Sequence, residues 1–203
     1  MSTNIKTKTM EDKSLTPKES LSVINQMIES SKTRMNENGF IYLFWGWLMS
    51  ICAIAQFMLL QLEYYEINYY PYFLAIPAGI YTGIYYSRES KKEQGSSFLG
   101  NIFAALWIPV GLNILMTAFV FSFTFNFNPT PFILMFLGIA TIVSGQIINF
   151  RLLIIGGIIC NLLGIFTILI PFIYHPIAVA LALVAADLIP GYALRTKYKK
   201  RYA

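Results

Sequence analysis

Apolar stretches of bilayer-crossing length, separated by connections that alternate between basic and non-basic, leave few folds open to this chain. The stretches run approximately over 39–62, 71–87, 98–123, 131–149, 152–174 and 176–195. A hydrocarbon core of about 30 Å takes about 20 residues of helix, and in lipid only helices or closed barrels satisfy the backbone internally. The expected fold is therefore an all-α membrane protein with transmembrane helices over all six stretches. The 15 basic residues fall into four segments. These are the N-terminal arm (Lys6, Lys8, Lys13, Lys18, Lys32, Arg34), the loop Arg88, Lys91, Lys92, the lone Arg151, and the tail Arg195, Lys197, Lys199, Lys200, Arg201. The other three connections carry none, so the positive-inside rule places both termini and the 88–97 and 150–152 loops in the cytoplasm.

With 56% hydrophobic and 12% charged residues, the chain lies outside the range of soluble domains, where about a quarter of residues are charged. A net charge of +5 without aromatic interleaving argues against nucleic acid. The expected partner of the basic segments is anionic lipid at the cytoplasmic face. The polar first 38 residues hold no apolar signal region, so the first span is expected to serve as the insertion signal. Cys52 and Cys160 both lie inside spans and read as small buried hydrophobes rather than a disulfide.

The returning spans open with Pro71, Pro131 and Pro176, where a missing N–H costs nothing because first-turn amides have no helical acceptor. This predicts three helical hairpins. Residues 1–15 read as a disordered arm. Thr16, Pro17 and Glu19 form a helix-start signature, and Leu21, Ile24 and Ile28 fall near one face. Residues 16–38 are thus expected to hold an amphipathic cytoplasmic helix and linker, an anchor on the membrane or a docking helix over 17–34 for a protein partner. The transmembrane domain is read as 39–196 and the basic tail as 197–203.

Asp187 is the one acid inside a span. If its helix ends near Arg195, the carboxyl lies about 12 Å below the cytoplasmic end, deep enough that it should be protonated, paired or facing water. Pro190 denies an amide to the carbonyl of Ala186, so a bend beside the acid is expected. Asn113, Gln146 and Asn161 supply amides in neighbouring spans, and with Asp187 they form the candidate intramembrane polar site. That site reads either as glue between helices or as a polar path. Gly79 and Gly83 form a GxxxG, and Ala178, Ala182 and Ala186 recur every four residues. Internal packing is the favoured reading of both, with a homo-oligomer the alternative.

A single histidine, His175, and two separated cysteines leave no ligand set for zinc, haem or an iron–sulfur cluster. Phosphate-loop, nucleophile-elbow and zinc-protease motifs are missing from the sequence. No catalytic residue, metal or cofactor is therefore expected.

NGFIYLFWGWL at 38–48, RLLIIGGIICNLLGI at 151–165 and LIPGYALRTKYK at 188–199, with SLSVINQMI at 20–28, resemble a family of uncharacterised six-span inner-membrane proteins of Bacteroidota-type bacteria. The resemblance covers most of the chain and implies a bacterial inner membrane and six spans, but no activity or substrate. In that pattern a tryptophan follows the cysteine where this chain has Asn161, and no acid is fixed at Asp187, so the resemblance lends Asp187 no role. The expected function is that of a non-enzymatic scaffold or regulatory partner. The alternative is a small proton-coupled transporter or channel using Asp187.

Overall fold

The computed structural model describes Lys18, Leu21, Ser22 and residues 39–92, 98–124 and 128–202. Lys18, Leu21 and Ser22 are helical and exposed. The rest of the arm and amphipathic segment expected over 1–38 lies outside the described residues, as do 93–97 and 125–127. Among the described residues the structure is all helical and contains no strand.

Helix α1 covers Phe40–Gln61. A 3-10 turn, Tyr70–Leu74, leads into α2, Ala75–Lys92. Helices α3 (Phe98–Thr124), α4 (Thr130–Ile147) and α5 (Arg151–Phe166) follow. The last long helix has three parts: α6 (His175–Leu183), a π-helical turn (Val184–Leu188) and α7 (Ile189–Tyr202), which runs on through the basic tail. Pro71, Pro131 and Pro176 each sit at the first or second position of their helical segments.

Four helical stretches are long and apolar enough to cross a membrane: Phe40–Gln61, Gly100–Val120, Thr130–Ile147 and Phe172–Lys197. The six-stretch reading is thus only partly matched. Helix α5 is apolar but has 16 residues, because its chain breaks into turns at Thr167 before Pro171. Helix α2 has the length but spends its last turns on Arg88, Glu89, Lys91 and Lys92.

Close helix approach dominates the interior. In the α4–α5 hairpin, a Cβ added at Gly157 would lie 2.7 Å from the carbonyl oxygen of Gly138, and one at Gly145 would lie 2.9 Å from Leu153 Cβ. Gly164 faces Leu134 Cβ and the Pro131 carbonyl, both at 3.1 Å. The turn between these helices is made by Asn149 in the left-handed region, φ 54°, which asparagine tolerates better than most residues. Gly156, next to Gly157, points to a different neighbour, the π turn, where its added Cβ would strike the Ala185 carbonyl. Adjacent helix positions differ by about 100°, so this pair lets α5 approach α4 on one side and the π turn on the other.

The alanine series reads correctly as internal: Ala178, Ala182 and Ala186 are buried. The GxxxG does not. Among the described residues, added Cβ atoms at Gly79 and Gly83 would meet nothing within 4 Å, and neither would one at Gly111 of α3. The chain's own helices are already occupied with α1, α4, α5 and α6, and α2 and α3 are left at the periphery with Ile76, Ile80, Ile84, Ile108, Leu112 and Met116 exposed.

All three tryptophans donate across helix pairs: Trp45 to Thr82 Oγ1 (3.2 Å), Trp47 to Tyr192 OH (3.1 Å) and Trp107 to Ser144 Oγ (3.2 Å). An indole N–H in an apolar setting needs such an acceptor. At the far end of α1, Gln56 donates to Asn68 Oδ1 (2.9 Å) and accepts from Tyr72 OH (3.0 Å). Asn68 in turn donates to the Tyr65 carbonyl, and Cys52 Sγ to the Pro71 carbonyl at 3.2 Å. The 62–70 loop is therefore tied to its helix by buried polar groups.

Candidate functional site

The π turn is the departure from regular helix with the clearest local cause. Ile189 N–H bonds the Val184 carbonyl five residues back rather than the Ala185 carbonyl four back. Pro190 has no amide for Ala185 or Ala186. The bend expected beside Asp187 takes this form, one widened turn rather than a break, and π turns of this kind recur at functional sites.

Two flanking glycines make room for it. Gly156 of α5 lies against the Ala185 carbonyl and the Ala186 Cα, and Gly46 of α1 lies against Leu188 and Asp187. A Cβ at Gly46 would sit 3.0 Å from that of Asp187. The π turn is thus held between α1 and α5, and Asp187, on the side facing α1, has a relative exposure of 4%. No hydrogen bond to its carboxyl is formed among the described residues. Cys160, one turn beyond Gly156 on α5, is within electrostatic reach of it, but its own thiol is directed to the Leu134 carbonyl at 3.3 Å.

The other members of the candidate polar site are not gathered around Asp187. Asn113 is exposed and bonds the Pro109 carbonyl of its own helix at 2.8 Å. Asn161 bonds the Gly157 carbonyl at 3.0 Å and packs over Gly138. Gln146 is exposed near the C-terminus of α4. The two asparagines each close on a carbonyl four residues back, which satisfies the amide without help from another helix. Tyr192, one turn beyond the π turn, accepts from Trp47 through its hydroxyl.

Ser50 is the polar residue near Asp187 that the sequence reading passed over. It lies one turn from Gly46 on the same face of α1, is 5% exposed, and its Oγ has no hydrogen-bond partner. Thr82, Thr141 and Thr196 each donate to the carbonyl four residues back, the usual refuge of a helical hydroxyl. Ser50 does not. The available signal was the small-residue stripe Gly46, Ser50 and Ala53, which marks the face of α1 that meets α6 and the π turn.

A second polar cluster lies at the opposite end of α6. His175 Nε2 faces the Ile170 carbonyl at 3.1 Å, and Nδ1 faces the Asn128 amide. Asn128 Oδ1 accepts from Thr130 N (3.0 Å) and Oγ1 (2.7 Å). This pattern corresponds to a neutral imidazole donating from Nε2. Asn128, Ile170 and His175, with Thr167 and Phe172, line a cavity of about 260 Å³. Every polar group named there is partnered, so the arrangement serves to close the helix ends. Among the described residues no group of three or more His, Cys, Asp or Glu side chains is placed to hold a metal ion.

No family model, curated protein or solved structure matches the chain.

Proposed function

We propose that this chain is a multi-pass bacterial inner-membrane protein, threaded as three hairpins with both termini cytoplasmic, that acts without catalysis as a scaffold or regulatory partner. The observation that carries this reading is the open face of α2. Gly79 and Gly83 allow close backbone approach by another helix, and the described helices of the chain leave that approach unused. Anionic headgroups at the cytoplasmic face would engage the basic loop and tail. At about 1.5 Å per residue the 16 residues of α5 rise about 24 Å, and the apolar turn at 167–170 completes the crossing. That length supports six spans.

The test of the scaffold reading is photo-crosslinking in the native membrane from probes replacing Gly79 or Gly83. A discrete protein adduct is expected, and it should disappear when the other glycine is changed to Leu. Crosslinks to lipid alone would reject the reading. Threading is checked by single-cysteine labelling in intact cells: Glu66→Cys is expected to react with an impermeant reagent and Gly95→Cys to be protected. The reverse pattern would invert the topology.

One observation favours the second reading, a small proton-coupled transporter or channel. Asp187 sits in a π turn beside Pro190, and irregular helix next to an intramembrane acid is characteristic of coupling sites. Proteoliposome flux that is lost in Asp187→Asn would move the assignment to transport.

A further inference from the structure

His175 lies between the fifth and sixth apolar stretches and joins three segments through its ring. It is 6% exposed and opens α6, with Nε2 against the Ile170 carbonyl at 3.1 Å and Nδ1 against the Asn128 amide. Which atom of Asn128 faces the ring is fixed from the other side. The backbone N–H of Thr130 can only donate, and it lies 3.0 Å from Oδ1, which also accepts from the Thr130 hydroxyl at 2.7 Å. The amide nitrogen is therefore turned to the imidazole, and it too can only donate. Nδ1 must then accept, which leaves the ring's one proton on Nε2 for the Ile170 carbonyl. A second proton has no place, because on Nδ1 it would point at the N–H of Asn128. Turning the amide over would relieve that clash but would set its nitrogen against the Thr130 N–H, freeing the first amide of α4.

We propose that His175, Asn128 and Thr130 form an acid-released clasp, in which protonation of the imidazole breaks the bond from Asn128 and parts the start of α4 from the start of α6. The cavity between them then opens. No charge stands ready to compensate the protonated ring. Helices α1, α4 and α6 contain no Asp, Glu, Lys or Arg, and α5 has only Arg151, at its opposite end. Phe172 meets the ring at 5.7 Å. The titratable groups around it are Tyr174, next in the chain, and Tyr69, which meets Phe172 at 6.3 Å; neither ionises where histidine does. The inference rests on hydrogen-bond roles and needs neither the scaffold nor the transport reading. In the proposed threading the clasp lies on the extracytoplasmic side.

The experiment is thermal unfolding of the full chain in detergent from about pH 7.5 to about pH 5, either side of histidine's ordinary range. The neutral ring fits the fold and the charged ring does not, so the unfolded chain binds the extra proton and stability is lost as pH falls. Relative to His175→Gln, a comparison that cancels Asp187 and every other group, the wild-type midpoint is expected to fall by about 2–10 °C, the effect of one buried hydrogen bond. Asn128→Asp keeps one oxygen on Thr130 and sets a second against Nδ1, where it accepts from the protonated ring. Its midpoint, relative to the same change combined with His175→Gln, should therefore rise over the same interval. A residue that merely fills space would not reverse the sign. The proposal is overturned if the wild-type difference is flat or rises in acid, or if Asn128→Asp moves in the wild-type sense. If His175→Gln does not fold, the wild type must fall relative to Asn128→Asp directly, and parallel slopes overturn the clasp.

Discussion

Gly156→Val is expected to prevent the bundle from closing, whereas Gly79→Ala and Gly83→Ala are expected to leave the isolated protein as stable as before or slightly more so. A Cβ at Gly156 meets the Ala185 carbonyl oxygen and, at 2.8 Å, the Ala186 Cα, which are main-chain atoms that no rotamer change can move. Overpacking of a dense interior costs about 1–3 kcal/mol and occasionally more, and a clash with backbone on a helix packed from both sides belongs at the upper end. At Gly79 and Gly83 there is open space among the described residues, so the substitution returns only helix propensity, up to about 1 kcal/mol per site. Unfolding midpoints in detergent separate the two cases. An unaffected Gly156→Val would show that the π turn is not seated on α5, and a large loss at Gly79 or Gly83 would show that α2 packs inward.

Gln56→Leu is the second change with a large expected effect. Gln56 is 4% exposed and Asn68 2% exposed, and leucine is close enough in size to keep the packing while deleting both of the glutamine's bonds. Asn68 Oδ1 loses its donor and Tyr72 OH its acceptor. Each buried group left unsatisfied costs about 1–3 kcal/mol, and the release should be local, freeing the 62–70 loop before the rest of the bundle. Hydrogen exchange read peptide by peptide is the appropriate measurement: faster exchange confined to 62–74 is expected. Uniform acceleration along the chain, or none, would mean that the loop is held by other contacts.

The helical class and the approximate positions of the apolar stretches were legible in the sequence because both are imposed by the solvent. Hydrocarbon demands long apolar runs with every backbone bond closed within the segment, and proline announces helix starts because it lacks the N–H that those positions cannot use. The burial of the alanine series and the disturbance near Pro190 were legible for similar local reasons. What remained hidden depends on which helix stands beside which. Two GxxxG-like small-residue patterns look alike in one dimension, yet Ala178, Ala182 and Ala186 are buried while Gly79 and Gly83 face open space.

The candidate polar site shows the same division. Asp187 stood out as an acid in an apolar run, but Asn113, Gln146 and Asn161 were grouped with it on residue type alone, and the structure sends the two asparagines to carbonyls of their own helices and leaves Gln146 exposed. Ser50 was unremarkable in sequence because a serine in a helix ordinarily bonds its own backbone. Its isolation becomes visible only when α1 is set against the π turn. Gly156 and Gly157 likewise read as one small-residue pair, and only the packed bundle assigns one to α4 and the other to the π turn. The sequence by itself determined the solvent, the helices and the acid, since each is a property of a single segment. The tertiary structure decided the partners, since a hydrogen bond or a close backbone approach belongs to two segments at once and is written in neither.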